Sequence, residues 1–194
     1  MPGYLHMPSN SRLLPQADMN KRPVTDQVIF LDRDGVLVEA IGYLSDPQEL
    51  KIYPGVSESI NALQERFYII VVTNQSGVAR GMFTENDLLR VHTELVQVLS
   101  EEGAILDGLL YCPHYEDGPV QEYQLVCECR KPKPGLLLEA SKKWDIDLKK
   151  SYMIGDRWKD IEAGRCVECK TIFIDCNYKE AKPKNPNFTT DSLL

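Results

Sequence analysis

The sequence predicts an α/β fold, a doubly wound parallel sheet of about five strands with helices on both faces. Three observations carry this expectation. Short β-branched runs alternate with helical patterns from residue 28 onward, the signature of strand–helix–strand winding. The longest apolar run, Tyr68-Ile69-Ile70-Val71-Val72, reads as a strand buried on both faces. Polar and charged segments follow the runs, at the carboxyl ends where such sheets bind ligands.

Residues 1–26 hold four prolines and no sustained apolar period, so they read as a flexible arm ahead of a single domain at 27–194. The five candidate strands are Val28–Leu31, then 68–72, 109–111, 152–154 and 171–174. Between them, residues 55–64 place Val56, Ile60 and Leu63 at helical spacing, and residues 84–102 do the same for Leu88, Val91, Leu95 and Leu99. Thr84 followed by Asp87 resembles a capping box. A third helix opens near Pro134-Gly135 and runs to Trp144, and a short fourth covers about 159–165.

Composition excludes several classes. With 194 residues, 43% hydrophobic and 26% charged, the chain matches one ordinary soluble domain. A net charge of -7 and the lack of a Lys/Arg stripe argue against a nucleic-acid partner. No run approaches the ~20 apolar residues of a membrane span, and the N-terminus lacks a signal-peptide core, so no membrane partner and a cytoplasmic location are expected. Nothing in the sequence demands more than a monomer.

Four segments follow the strands and precede the later helices. The first strand runs into Asp32-Arg33-Asp34-Gly35, two carboxylates and a glycine for a sharp turn. The second ends in Thr73-Asn74-Gln75-Ser76-Gly77, a cluster of hydroxyl and amide groups. Arg130-Lys131 precede the third helix, and the fourth strand ends in Gly155-Asp156-Arg157-Trp158-Lys159-Asp160. Singly these are a charged turn, a polar loop, a solvated cationic run and a capped helix start. Gathered at one sheet edge, they supply what phosphoryl transfer requires: carboxylates for a hard divalent cation, a nucleophile, an acid, and donors for phosphoryl oxygens. Mg2+ suits that ligand set.

A second cluster is Cys112-Pro113-His114, a twelve-residue gap, then Cys127-Glu128-Cys129. Four soft ligands in one loop match tetrahedral Zn2+ in a structural role, since every position is filled by protein. The site would staple a loop short of apolar contacts and aim Arg130 and Lys131. Cys166-Val167-Glu168-Cys169 has no nearby histidine; Cys169 reads as core, and neither Cys166 nor Cys176 is assigned a role.

The order Asp-x-Asp-Gly, strand-end Thr, Lys, then Gly-Asp-x-x-x-Asp resembles the haloacid dehalogenase superfamily over about residues 27–176. The resemblance implies a Rossmann-like sheet with the first strand central and a minimal cap. It implies that Asp32 is the nucleophile of an aspartyl-phosphate and Asp34 the general acid and base, with Thr73 and Lys131 holding phosphoryl oxygens. It also implies Mg2+ on the Asp32 carboxylate, the Asp34 carbonyl and the Asp156 carboxylate, with Asp160 orienting Lys131.

Gly42-Tyr43, the run from Val71 to Gly81 and the long cysteine loop look like the D-glycero-D-manno-heptose 1,7-bisphosphate 7-phosphatases. In that group Gly42, Tyr43, Thr73, Asn74, Gln75, Ser76, Arg130 and Lys131 would contact a small phosphorylated sugar, with Arg130 on the second phosphate. Arg157, next to Asp156, is a further candidate contact and stands where the best-matched members carry Lys. The alternatives are histidinol-phosphate phosphatase, another sugar phosphatase, and a catalytically idle zinc-stabilised binding module.

Overall fold

The computed structural model describes residues 25–194. Six strands form one parallel sheet: β1 (Val28–Leu31), β2 (Tyr68–Asn74), β3 (Gly108–Cys112), β4 (Tyr152–Gly155), β5 (Lys170–Ile174) and β6 (Phe188–Thr190). Their order is β3-β2-β1-β4-β5-β6, which places β1 inside the sheet between β2 and β4. The helices are α1 (Val56–Leu63), α2 (Glu85–Glu101), α3 (Gly135–Trp144) and α4 (Trp158–Cys166).

Strand alternation divides the interior into two cores. Ile29, Leu31, Ile69 and Val71 point to one face and pack with Val56 and Ile60 of α1 and Leu95 and Leu99 of α2. Val28, Phe30, Ile70 and Val72 point to the other, against Leu136, Leu137 and Ala140 of α3 and Ala163 of α4. Burial of each large aliphatic side chain stabilises the fold by ~1.5–3 kcal/mol, and covering both faces is why these strands carry no polar alternation. Trp144, at the end of α3, packs onto β3 so closely that a Cβ on Gly108 would lie 2.7 Å from its ring.

The capping box of α2 is present: Asp87 N donates to Thr84 Oγ1 at 3.2 Å, and Thr84 N donates to Asp87 Oδ2 at 3.0 Å. The segment between β1 and α1 contains a 3-10 turn at Pro47–Glu49 and isolated bridges at Asp34–Val38 and Val38–Ile52, with no inserted domain, in keeping with a minimal cap.

One correction concerns the sheet, which has six strands where about five were expected. β6 is three residues long, with Phe188 and Thr189 exposed, so it offers no apolar period. Backbone pairing with β5 holds it, together with Asn187, whose Oδ1 accepts from Thr171 N at 2.8 Å.

The arm expected at 1–26 lies outside the described residues except for Thr25 and Asp26. The Asp26 carbonyl accepts from Asp147 N at 2.7 Å, and its carboxylate pairs with Lys150. Among the described residues no helix is long and apolar enough to cross a membrane.

Candidate active site

The carboxyl edge of β1, β2 and β4 collects Asp32, Thr73 and Asp156, and the segment before α3 brings Lys131 to them. Parallel pairing fixes this: Leu31 is in register with Val71 and with Ile154, so the residues that follow these three positions emerge at the same edge. Asp32 N donates to the Ile154 carbonyl at 3.0 Å, which continues the ladder into the site. Gly35 (φ +84°) then turns the chain beneath β4, where a Cβ would lie 2.1 Å from Asp156 Oδ2, so only glycine fits.

Lys131 is the cationic centre, with 1% of its side chain exposed. Its Nζ donates to the Val72 carbonyl at 2.7 Å and pairs with Asp160 Oδ1 at 2.6 Å and Asp32 Oδ1 at 3.0 Å. Burial alone would push this ammonium toward neutrality. The two carboxylates outweigh that effect, and the net shift is upward, so Lys131 stays charged.

The carboxylates divide by the partners they have. Both oxygens of Asp160 are taken, one by Lys131 and the other by Arg157 N at 2.9 Å, which caps α4. Asp156 Oδ1 is buried with no partner, although Oδ2 meets Arg157 Nε at 3.2 Å. Burial, reinforced by the negative charges of Asp32 and Asp160, pushes Asp156 up to about 7, and burial pushes Asp160 up to about 6 against the pull of Lys131. Asp32, Asp156 and Asp160 each offer an oxygen within 4.8 Å of the others. An orphaned oxygen in a strained carboxylate cluster has the donor chemistry of a hard divalent cation site.

The structure brings most of the expected residues together. Gln75 Nε2 donates to Asp34 Oδ2 at 2.8 Å and to Thr73 Oγ1 at 3.0 Å, joining the β2 edge to the turn after β1. Asn74 is engaged elsewhere: Nδ2 donates to the Lys131 carbonyl and Oδ1 accepts from Lys131 N, both at 3.0 Å, so its amide clamps the cationic segment. Tyr43, exposed beside Gly42, stands edge-on to Phe83 at 6.4 Å, and Phe83 covers Gly77 just beyond Ser76. Arg157 stacks on Tyr178 at 3.7 Å and pairs with Glu180, besides its contact with Asp156. Trp158 lines a small cavity beside these groups.

Sequence reasoning passed over Arg33, His92, Arg80, Tyr115 and Tyr178. Arg33 is fully buried between two assigned aspartates, and His92 shares the helical spacing of Leu88 and Leu95, a signal that was available. Arg80 and Arg130 both face Tyr115, at 3.7 and 5.5 Å from the ring centre.

The cysteine loop closes as its spacing implied. Cys129 Sγ lies 3.1 Å from Cys112 Sγ, 3.3 Å from Cys127 Sγ and 3.3 Å from His114 Nδ1. Such separations approach the ~3.8 Å edge of a tetrahedron whose sulfurs lie ~2.3 Å from a central Zn2+. Hydrogen bonding to Cys127 pushes the Cys112 thiol up, while the bonds Cys127 shares with Cys112 and Cys129 drive Cys127 strongly down, leaving a thiolate that a shared cation would neutralise. Cys169 is core and Cys166 is exposed.

Known proteins resemble this chain in sequence and in fold. A family model described as HAD-hydrolase-like matches residues 128–194. The chain is 44% identical over 144 residues to the D-glycero-beta-D-manno-heptose-1,7-bisphosphate 7-phosphatase of Yersinia pestis, covering 74% of this chain and 77% of that one. It is 38% identical over 174 residues to the protein of the same name from Pasteurella multocida, covering 86% and 92%. The crystal structure of D,D-heptose 1,7-bisphosphate phosphatase from B. bronchiseptica, complexed with magnesium and phosphate, superposes with a TM-score of 0.74 at 28% identity, covering 87% of this chain and 94% of that one. With identity near 40% extending over most of these relatives' length, the chain belongs to the heptose-bisphosphate phosphatase family of HAD-like hydrolases.

Proposed function

We infer that this phosphatase removes the 7-phosphate of D-glycero-beta-D-manno-heptose 1,7-bisphosphate through an aspartyl-phosphate on Asp32. The observation that carries the reading is the meeting of Asp32, Lys131 and the half-orphaned Asp156 at one sheet edge, in a family whose named relatives act on that sugar. Asp32 Oδ1 is held by Lys131 and by Arg33 N, which leaves Oδ2 to attack phosphorus. As the phosphorus–oxygen bond to the sugar breaks, Asp34 gives its proton to the leaving oxygen. Asp34 then takes a proton from water, whose oxygen attacks the aspartyl-phosphate and releases phosphate with Asp32 restored.

Mg2+, held by the Asp32 carboxylate, the Asp34 carbonyl and the Asp156 carboxylate, would neutralise charge on the phosphoryl oxygens. Thr73 and Lys131 would donate to those oxygens, and Asp160 would orient Lys131. Gly42, Tyr43, Gln75 and Ser76 would border the sugar, with Arg130 beside the anomeric phosphate as a forked donor. Zn2+ on Cys112, His114, Cys127 and Cys129 would be structural. We take the working unit to be a cytoplasmic monomer with one domain over 27–194.

Phosphate release from both heptose anomers and from histidinol phosphate tests the substrate. The β-anomer is expected to show at least about tenfold higher kcat/KM than either competitor. Faster turnover of histidinol phosphate would replace the assignment.

The cation site has a readout independent of activity. Asp156, the carboxylate assigned to the cation, is raised to about 7, so in metal-free protein its proton favours folding at low pH and that contribution fades as pH rises through 7. Added Mg2+ competes with that proton. It is therefore expected to raise the thermal midpoint by several degrees more at pH 8 than at pH 5; equal shifts at the two pH values would count against this ligand.

A further inference from the structure

Arg33 and His92 form a buried assembly behind the proton-transfer carboxylate that the reaction steps above do not use. Arg33 is fully buried, an expensive place for a guanidinium unless its donors are met. Nη2 donates to Asp34 Oδ1 and Oδ2, each at 2.9 Å, and Nε donates to Oδ1 at 3.1 Å. On the far side Nη1 lies 3.0 Å from His92 Nε2. His92 is 3% exposed, on the buried face of α2, with its ring tilted against Tyr111 at 5.3 Å.

The chemistry of the pair settles the tautomer. A guanidinium only donates, so Nε2 must accept and the ring proton sits on Nδ1. Burial, with the charge of Arg33, holds His92 well below its usual pKa, which keeps it neutral and able to accept. Nδ1 is buried without a partner, a cost that a plain core residue would avoid. The polar contact the ring does make is therefore the one between Nε2 and Arg33.

We propose that His92 and Arg33 are positioning residues for proton transfer: the imidazole fixes the guanidinium, and the guanidinium fork with Gln75 fixes the Asp34 carboxyl that serves the leaving oxygen. This rests on the assignment of Asp34 as general acid. Gln75 holds Oδ2 from the β2 side at 2.8 Å, so the carboxyl is gripped from two directions.

The test exploits leaving-group chemistry. A sugar alkoxide needs a proton to depart, whereas 2,4-dinitrophenolate leaves without one, and kcat/KM reports the bond-breaking step for both. In His92→Leu, kcat/KM on heptose 1,7-bisphosphate is expected to fall about tenfold or more, with the dinitrophenyl phosphate value within about twofold of wild type. His92→Gln, whose Oε1 can still accept from Arg33, is expected to restore the sugar-phosphate rate. Equal losses on both esters, or no loss on the sugar phosphate, overturn the proposal. Arg33→Lys keeps the buried charge but cannot fork a carboxylate; it is expected to show the same selective loss and decides the matter if His92→Leu does not fold. Failure of the heptose assignment shows separately, as wild type inert toward that sugar, and the comparison is then read on an alkyl phosphate that wild type cleaves.

Discussion

Asp32→Asn is expected to lower phosphate release by at least about a thousandfold while the protein keeps its fold. An amide cannot form the acyl-phosphate, but its oxygen can still accept from Arg33 N and Lys131 Nζ, which lie 2.8 and 3.0 Å from the present carboxylate. Lys131 keeps Asp160 as a charged partner at 2.6 Å. Removal of one negative charge also relieves Asp156 and Asp160, both pushed up in part by Asp32. The thermal midpoint of the metal-free variant should consequently match or exceed that of wild type, so loss of activity will not track loss of structure. Phosphate release and thermal unfolding on the same preparation check this. Retention of more than a few per cent of wild-type turnover would remove Asp32 from the nucleophile's role.

Loss of the zinc proposed for the cysteine loop should have the largest effect on stability. Structural zinc contributes apparent binding free energies on the order of 10 kcal/mol in small domains. Cys129→Ser is expected to abolish stoichiometric zinc and to lower the thermal midpoint by about 10 °C or more, at roughly 2–4 °C per kcal/mol for a chain of this size. Activity should fall with it, because Cys129 immediately precedes Arg130 and Lys131 and Gly135 N, at the start of α3, donates to the Glu128 carbonyl at 3.0 Å. Cys166→Ser, on an exposed thiol, is the control and should change neither quantity. Metal analysis with calorimetry reads both; an unshifted Cys129→Ser would mean that the loop holds itself without metal.

How much of this could be read from residues alone depended on the kind of signal. Strands buried on both faces announce themselves as apolar runs, and the capping box of α2 is local, so those elements were legible. β6 was not, because an exposed edge strand is defined by backbone pairing and by Asn187, neither of which leaves a pattern. The aspartates proposed as catalytic stood out as paired acids after predicted strands. Arg33 did not, since a charge in a turn resembles solvated surface until the fold buries it. Asn74 was placed correctly beside the site, yet only the fold reveals that its amide grips the Lys131 backbone. Arg157 likewise looked free for substrate before Tyr178 and Glu180 came to meet it.

The interior position of β1 has one more consequence. Its partners are β2, about 40 residues later, and β4, more than 120 residues later, as the pairing of Ile29 with Ile69 and with Tyr152 records. Asp32, the proposed nucleophile, therefore directly follows a strand whose second neighbour is synthesised well after its first. Closure of so long a loop is slow and must precede the contacts that reward it. Asp156 and Asp160 lie beyond β4, so a chain that has folded only its first half holds Asp32 and Asp34 but neither of those two carboxylates. On the proposed mechanism, competence for chemistry should arrive only once β4 has paired with β1, and chains folded short of that should be inert toward phosphate esters.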